Sequence, residues 1–123
     1  MYQLTVESHF DAAHALRGYQ GKCENLHGHR FKVMVKIRAG QLDGIGLVYD
    51  FTQIKAELNL VLDRLDHTNL NETPPFTELN PSSENLAATI FQELASRFAG
   101  VPVVLSAVEV WESPECSAEY RPD

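Results

Sequence analysis

From His27 to Ala39 the chain reads as one long strand, and the parity of that strand constrains everything around it. Its apolar positions, Phe31, Val33, Val35 and Ile37, are odd-numbered. In an extended chain, residues two apart share a face. His27 and His29 have the same parity, so both imidazoles continue the buried stripe at the start of the strand. An imidazole carries polar nitrogens on two sides and is costly to bury without partners. A bound cation would satisfy both rings at once.

The stretch before it, residues 2–16, also alternates, with Leu4, Val6, Phe10, Ala12 and His14 on its even face. A hairpin between the two stretches would bring three rings together. Three neutral imidazoles suit zinc with an open fourth position; the other reading is a core histidine at position 14 satisfied by hydrogen bonds. Residues 17–26 read as a polar, glycine-containing loop that carries Cys23. Cys23 is either a thiolate ligand in Cys-x-x-x-His-x-His or a thiol beside the metal with its pKa lowered by the ion's charge. The spacing does not decide between them.

A chain of 123 residues is one domain, spanning 1–123, and 44% apolar residues suffice for a core. Ten Lys and Arg against 17 Asp and Glu give a net charge of −7. That balance argues against nucleic acid and anionic membranes as partners, while a local cationic cluster would still admit an anionic small substrate. No run approaches the ~18 apolar residues of a membrane helix, and no basic, apolar and cleavable leader opens the chain. A soluble cytoplasmic protein is expected, in which a Cys23–Cys116 bridge is not.

Gln41 to Gly46 reads as a turn around Asp43-Gly44, and Leu47 to Asp50 as a short extended piece. Asp50 is an N-cap signal with Gln53 three residues on. The helix after it carries Phe51, Ile54, Leu58, Val61, Leu62 and Leu65 on one stripe and ends near Asp66-His67-Thr68-Asn69. A proline-rich loop follows. A second helix starts at Ser82 or Ser83, carries Leu86, Ile90, Phe91, Leu94 and Phe98, and stops at Gly100. Val103 to Glu112 and Cys116 to Arg121 are strands. The order ββααββ predicts an α+β fold, with an antiparallel sheet and both helices on one face. The other face is left for another subunit to cover.

Three polar groups have two readings each. Asp66 and His67 suit a helix C-terminus, and equally suit a carboxylate-oriented acid/base pair. Glu112 extends the stripe Val104, Ser106, Val108, Val110; it is either solvated or an acceptor for a planar forked donor. Glu84 suits the first turn of a helix.

Taken together, Phe10-Asp-Ala-Ala-His14-Ala-Leu16, Lys22-Cys23-Glu-Asn-Leu-His27-Gly-His29, Val48-Tyr-Asp50-Phe51, Leu65-Asp66-His67-Thr-Asn-Leu70-Asn71, Asn80-Pro-Ser-Ser-Glu84-Asn85 and Val110-Trp-Glu112-Ser113 resemble the 6-pyruvoyltetrahydropterin synthase / 6-carboxytetrahydropterin synthase family over nearly the whole chain. The short length and compact loops resemble the bacterial carboxy enzymes of the queuosine (7-deazaguanine) pathway. The resemblance implies the tunnelling fold, with trimeric barrels stacked into a homohexamer and active sites at subunit interfaces. It implies Zn2+ on His14, His27 and His29, Cys23 as general base, and Asp66 and His67 as a dyad contributed by a neighbouring subunit. It also implies Glu112 as the pterin anchor. The implied reaction converts 7,8-dihydroneopterin triphosphate to 6-carboxytetrahydropterin, acetaldehyde and triphosphate. The alternatives are the 6-pyruvoyltetrahydropterin reaction and, from another class, a non-catalytic zinc-bound interaction module. Arg17, Lys22, Arg30 and Lys32 are local candidates for the triphosphate, and nothing in their spacing selects among them.

Overall fold

The computed structural model describes residues 1–21 and 24–123. Lys22 and Cys23, and with Cys23 its expected role as base, lie outside the described residues. Strands β1 (Tyr2–His14) and β2 (His27–Ala39) form an antiparallel ladder running from Tyr2↔Ala39 to His14↔His27. The alternation behaves as the parity requires. Val6, Phe10, Ala12 and His14 are buried on β1; Phe31, Val33, Val35 and Ile37 are buried on β2. Phe10 and Phe31 face each other across the ladder and stack with centroids 4.9 Å apart.

Helix α1 (Phe51–Asp63) is capped by Asp50, whose carboxylate accepts from the Thr52 amide at 2.8 Å and from its hydroxyl at 2.7 Å. Ile54, Leu58, Val61, Leu62 and Leu65 of the expected stripe are buried. Phe51 is not: at the first turn it overhangs β1 beside Thr5 and Glu7 and is 54% exposed. Helix α2 (Ser83–Arg97) takes Ser82 as its cap, and all five residues of its expected stripe are buried. It closes with Gly100 at φ 81°, a left-handed conformation that glycine adopts without steric cost.

Strand β4 (Val104–Ser113) pairs with β2, and β5 (Cys116–Tyr120) pairs with β4. One feature departs from a wholly antiparallel sheet. A two-residue strand β3 (Thr68–Asn69) runs parallel to β1 at Ala12 and Ala13, giving the mixed order β3-β1-β2-β4-β5. The turn after α1 returns the chain along the end of β1, where its backbone groups pair with Ala12 and Ala13. The expected extended piece at 47–50 is bends rather than strand.

A second departure lies in β4. Lys36 pairs with Ala107 but Ile37 with Leu105, so Ser106 is an extra residue that flips the parity upstream of it. Leu105 therefore points to the core, while Val104, expected there, is 56% exposed. Downstream of the bulge, Val108 and Val110 are buried as expected.

Both helices lie on one face, α1 against β1 and α2 against β4 and β5. The opposite face carries Lys32, Lys36, Glu109, Ser117 and Glu119. It is polar and does not by itself demand an apolar cover. The edges are more open than the face. Among the described residues β1 has an outer partner only at Ala12 and Ala13, and β5 is the last strand. Among the described residues no helix is long and apolar enough to cross a membrane.

Phe31 sits under everything that follows. It is fully buried, and its ring meets those of His14 and His29 edge-on at 5.2 and 5.7 Å. Phe31→Ala is expected to cost about 3–5 kcal/mol in urea unfolding, because the removed ring leaves a cavity beside Phe10, His14 and His29. A loss under about 1 kcal/mol would show that the ladder can close over the gap.

Candidate active site

The register that aligns His14 with His27 also puts Ala12 opposite His29, so the three imidazoles crowd one mouth of the hairpin. Their ring centroids are 4.6 to 5.3 Å apart. Glu112 reaches in from β4, with Oε1 at 3.1 Å from His14 Nε2 and 3.3 Å from His29 Nε2. One donor atom from each of these four residues lies within 4.8 Å of the others, a group that could hold a metal ion.

Hydrogen bonds around the rings decide which nitrogen is free. His14 is 1% exposed, and its Nδ1 donates to the Pro81 carbonyl at 2.7 Å. His27 Nδ1 donates to the Asn25 carbonyl at 2.6 Å. A carbonyl only accepts, so both Nδ1 atoms carry the proton, and in the neutral rings Nε2 holds a lone pair. This outer-shell arrangement fixes the ring and tautomer of a metal-ligating histidine.

The same logic exposes a contact that needs a cation. Neutral His14 presents a lone pair to a carboxylate oxygen 3.1 Å away, and two acceptors do not bond. A cation bound at the rings would relieve that repulsion. Burial holds the His29 imidazole below its ordinary pKa, with His27 and His14 adding to the effect and Glu112 opposing it. Three crowded imidazoles, two of them with Nδ1 protonated and an Nε2 lone pair free, suit a divalent metal.

Asp66 and His67 are brought together as the sequence suggested, but away from the triad. His67 Nδ1 is 2.9 Å from Asp66 Oδ2. Asp66 Oδ1 accepts from the Asp11 amide at 2.8 Å, and the His67 amide donates to the Asp11 carbonyl at 2.6 Å. Asp11 pairs across the ladder with Arg30, whose guanidinium grips its carboxylate at 2.9 and 3.2 Å. Asp11 and Arg30 have the opposite parity to Ala12 and His29, so the pair lies on the other face of the ladder from the triad. Asp11, Asp66 and His67 also offer three clustered donor atoms, but Arg30 already neutralises Asp11. His67 adopts φ 57°, which non-glycine residues rarely do, and its side chain is 77% exposed.

Glu84 remains an ordinary first-turn acid of α2. Sequence reasoning gave no role to three asparagines and one proline that hold the site. Asn71 accepts from the Ala15 amide at 2.8 Å and donates to its carbonyl at 2.9 Å; Asn80 does the same for Arg17 at 2.9 and 3.0 Å. Asn85 donates to the Asn80 carbonyl, and Pro81 orients His14. Each amide side chain stands in for a missing neighbouring strand. Their presence in the quoted motifs was the available signal, but backbone partners cannot be read from residue type.

The acidic groups also set a pH dependence. The Asp66 carboxyl is lowered, first by the Asp11 amide and then by His67; Asp11 is lowered first by its bonds to Arg30. Both lie below the unfolded value of about 3.9, so they add stability above that pH and lose it as pH falls through their folded values. Urea midpoints are therefore expected to fall on acidification below about pH 4. Asp66→Asn should flatten that limb; an unchanged limb would assign the effect to other carboxylates.

The fold and the site define an α+β enzyme with a candidate metal centre at the mouth of its central hairpin. The family model for 6-pyruvoyl tetrahydropterin synthase matches residues 3–123. A 6-carboxy-5,6,7,8-tetrahydropterin synthase from Synechocystis is 40% identical over 125 residues, covering 98% of this chain and 93% of that one. A dihydroneopterin monophosphate aldolase from Pyrococcus furiosus is 33% identical over 119 residues, covering 97% and 96%. The solved 6-pyruvoyl tetrahydropterin synthase of Caenorhabditis elegans superposes with a TM-score of 0.85 at 34% identity, covering 100% and 98%. The chain belongs to the 6-pyruvoyl tetrahydropterin synthase family, and its fold is the tunnelling fold.

Proposed function

We propose that this chain is a zinc-dependent 6-carboxytetrahydropterin synthase of queuosine (7-deazaguanine) biosynthesis. It would convert 7,8-dihydroneopterin triphosphate and one water to 6-carboxy-5,6,7,8-tetrahydropterin, acetaldehyde and triphosphate. The observation that carries this reading is the triad itself: His14 and His27 with their Nδ1 protons committed to carbonyls, and His29 within metal-sharing distance of both. The name of the Synechocystis relative supports the carboxy product. The pyruvoyl reaction is the alternative, and the likeness to the nematode enzyme speaks for it.

In this mechanism His14, His27 and His29 hold zinc. When bound, zinc supplies Lewis acidity to the substrate side-chain oxygens and makes the adjacent C–H and O–H groups more acidic. Cys23, as thiolate, takes a proton from the substrate side chain. His67, its Nδ1 on Asp66, carries out the opposite transfer. Glu112 accepts from the amino and ring N–H groups of the pterin, a planar fork suited to a carboxylate. The ring takes its hydrogen from its own side chain, so no external reductant is required.

Self-association completes the reading. In one chain the Asp66–His67 pair and the triad are on opposite faces of the β1–β2 ladder. A homohexamer of two stacked trimers would let the pair of one subunit serve the triad of its neighbour. The open edges at β1 and β5 support such pairing. The functional unit is one domain, 1–123, acting in the cytoplasm on a small pterin triphosphate, without nucleic acid or membrane.

The first test is metal dependence: chelation should abolish consumption of 7,8-dihydroneopterin triphosphate, and zinc should restore it. Turnover that survives complete zinc removal would overturn the proposal. A second reading, a closed non-catalytic zinc module, draws on Glu112 Oε1 lying so near two Nε2 atoms. Glu112→Gln separates the two. As pterin anchor, Glu112 is dispensable for zinc, and the variant should raise KM by roughly 10- to 100-fold, the cost of one charge-assisted hydrogen bond. Loss of zinc from the variant would instead make Glu112 a ligand.

A further inference from the structure

The substrate proposed above brings a highly charged triphosphate to a protein of net charge −7, so some cation must receive it. Most of the chain's ten Lys and Arg are already committed. Arg17 donates to the Phe76 and Leu79 carbonyls, both at 2.9 Å; Lys55 donates to the Glu7 carbonyl at 2.6 Å. Lys36 and Arg121 share Glu119, Arg64 pairs with Glu93, Arg97 with Glu57, and Arg30 with Asp11. Among the described residues only Lys32 and Arg38 have neither a carboxylate nor a carbonyl partner.

Position separates those two. Arg38 lies towards the far end of β2, beside Gln3 and Arg121. Lys32 lines a cleft of about 510 Å³ where β2 runs past the end of β4. His29 and Glu112, two members of the histidine–glutamate group on the other face of the sheet, line the same cleft. Lys32 stands over the indole of Trp111, its cross-strand partner, with Nζ 4.8 Å from the ring centroid. The indole is itself held by its Nε1–H donating to Glu109 at 3.0 Å. An exposed cation–π contact is a weak hold. It parks the ammonium inside the cleft without neutralising it, and releases it readily to an anion.

From this juxtaposition we infer that the Lys32–Trp111 cleft is the polyphosphate subsite, with Lys32 as its principal cation and Arg30, on the same wall, as a secondary one. The inference rests on the proposed pterin triphosphate reading. Of the four cations that the sequence left equal, three are among the described residues: Arg17 is spent on carbonyls, Arg30 is shared with Asp11, and Lys32 lies in the cleft with no such partner.

The test is binding of inorganic tripolyphosphate to the zinc-loaded protein by calorimetry, alongside KM for 7,8-dihydroneopterin triphosphate. Lys32→Gln should weaken tripolyphosphate by about 10- to 100-fold, as expected for loss of one charge-assisted contact, and should raise KM to match. Binding of unphosphorylated dihydroneopterin should not change. Arg38→Gln removes the same charge outside the cleft and should leave both values near wild type. Equal losses in the two variants would reduce the effect to net charge and overturn the subsite, as would wild-type binding in Lys32→Gln. The two readings fail separately. Lys32-dependent tripolyphosphate binding without turnover would keep the subsite and sink the reaction; turnover indifferent to Lys32 would do the reverse.

Discussion

His14→Ala is expected to lose stoichiometric zinc and to lower turnover by on the order of 10³-fold or more. The size follows from the several kcal/mol of charge stabilisation that a Lewis acid supplies, at about 1.4 kcal/mol per tenfold. His14 is the most demanding of the three positions. Among the described residues it is the only charged or polar side chain in the buried set; its Nδ1 donates to the Pro81 carbonyl and its Nε2 faces Glu112. Removal leaves that carbonyl unpaired in a buried site, which adds a stability loss of about 1–3 kcal/mol. Zinc content by elemental mass spectrometry and urea unfolding read the two effects separately. A folded His14→Ala protein that still carries a full complement of zinc would remove His14 from the ligand set.

His67→Gly is expected to divide function from stability. His67 is held at φ 57°, a conformation that costs a non-glycine residue roughly 1–2 kcal/mol and glycine almost nothing. Glycine also has more freedom to lose on folding, so the two effects nearly cancel and stability should stay within about 1 kcal/mol of wild type. Turnover should fall by about 10²- to 10⁴-fold, the usual worth of a positioned acid or base. The positive φ of His67 and its exposed imidazole with Nδ1 on Asp66 are the features that this variant tests. Near-normal turnover in His67→Gly would end the case for the dyad.

Much of this was legible in the chain because alternation fixes faces. The odd parity of His27, His29, Phe31 and Val33 and the even parity of Phe10, Ala12 and His14 put three imidazoles on one face before any pairing was known, although only His14 is buried and His27 and His29 are half-buried. The observed register from Tyr2↔Ala39 to His14↔His27 brings those faces together. The two helical stripes were equally plain, apart from Phe51 at an overhanging first turn. What parity could not foresee was its own interruption. The bulge at Ser106 turned Val104 outward, and no residue type announces a bulge. Nor could periodicity find β3, whose two residues are in the sheet only because the turn after α1 lays them against Ala12 and Ala13. The supports of the site were hidden for a similar reason. The Pro81 carbonyl that fixes the tautomer of His14 comes from 67 residues along the chain, which no local pattern announces; the Asn25 carbonyl that fixes that of His27 is only two residues away, but its direction depends on the path of the loop.

The central claim is the reaction, and one experiment addresses it directly. Zinc-loaded protein is incubated with 7,8-dihydroneopterin triphosphate, aldehydes are trapped as they form, and the products are identified by mass spectrometry. The account predicts 6-carboxytetrahydropterin together with acetaldehyde. Pyruvoyltetrahydropterin without acetaldehyde, or no turnover by protein that retains its zinc, would contradict it.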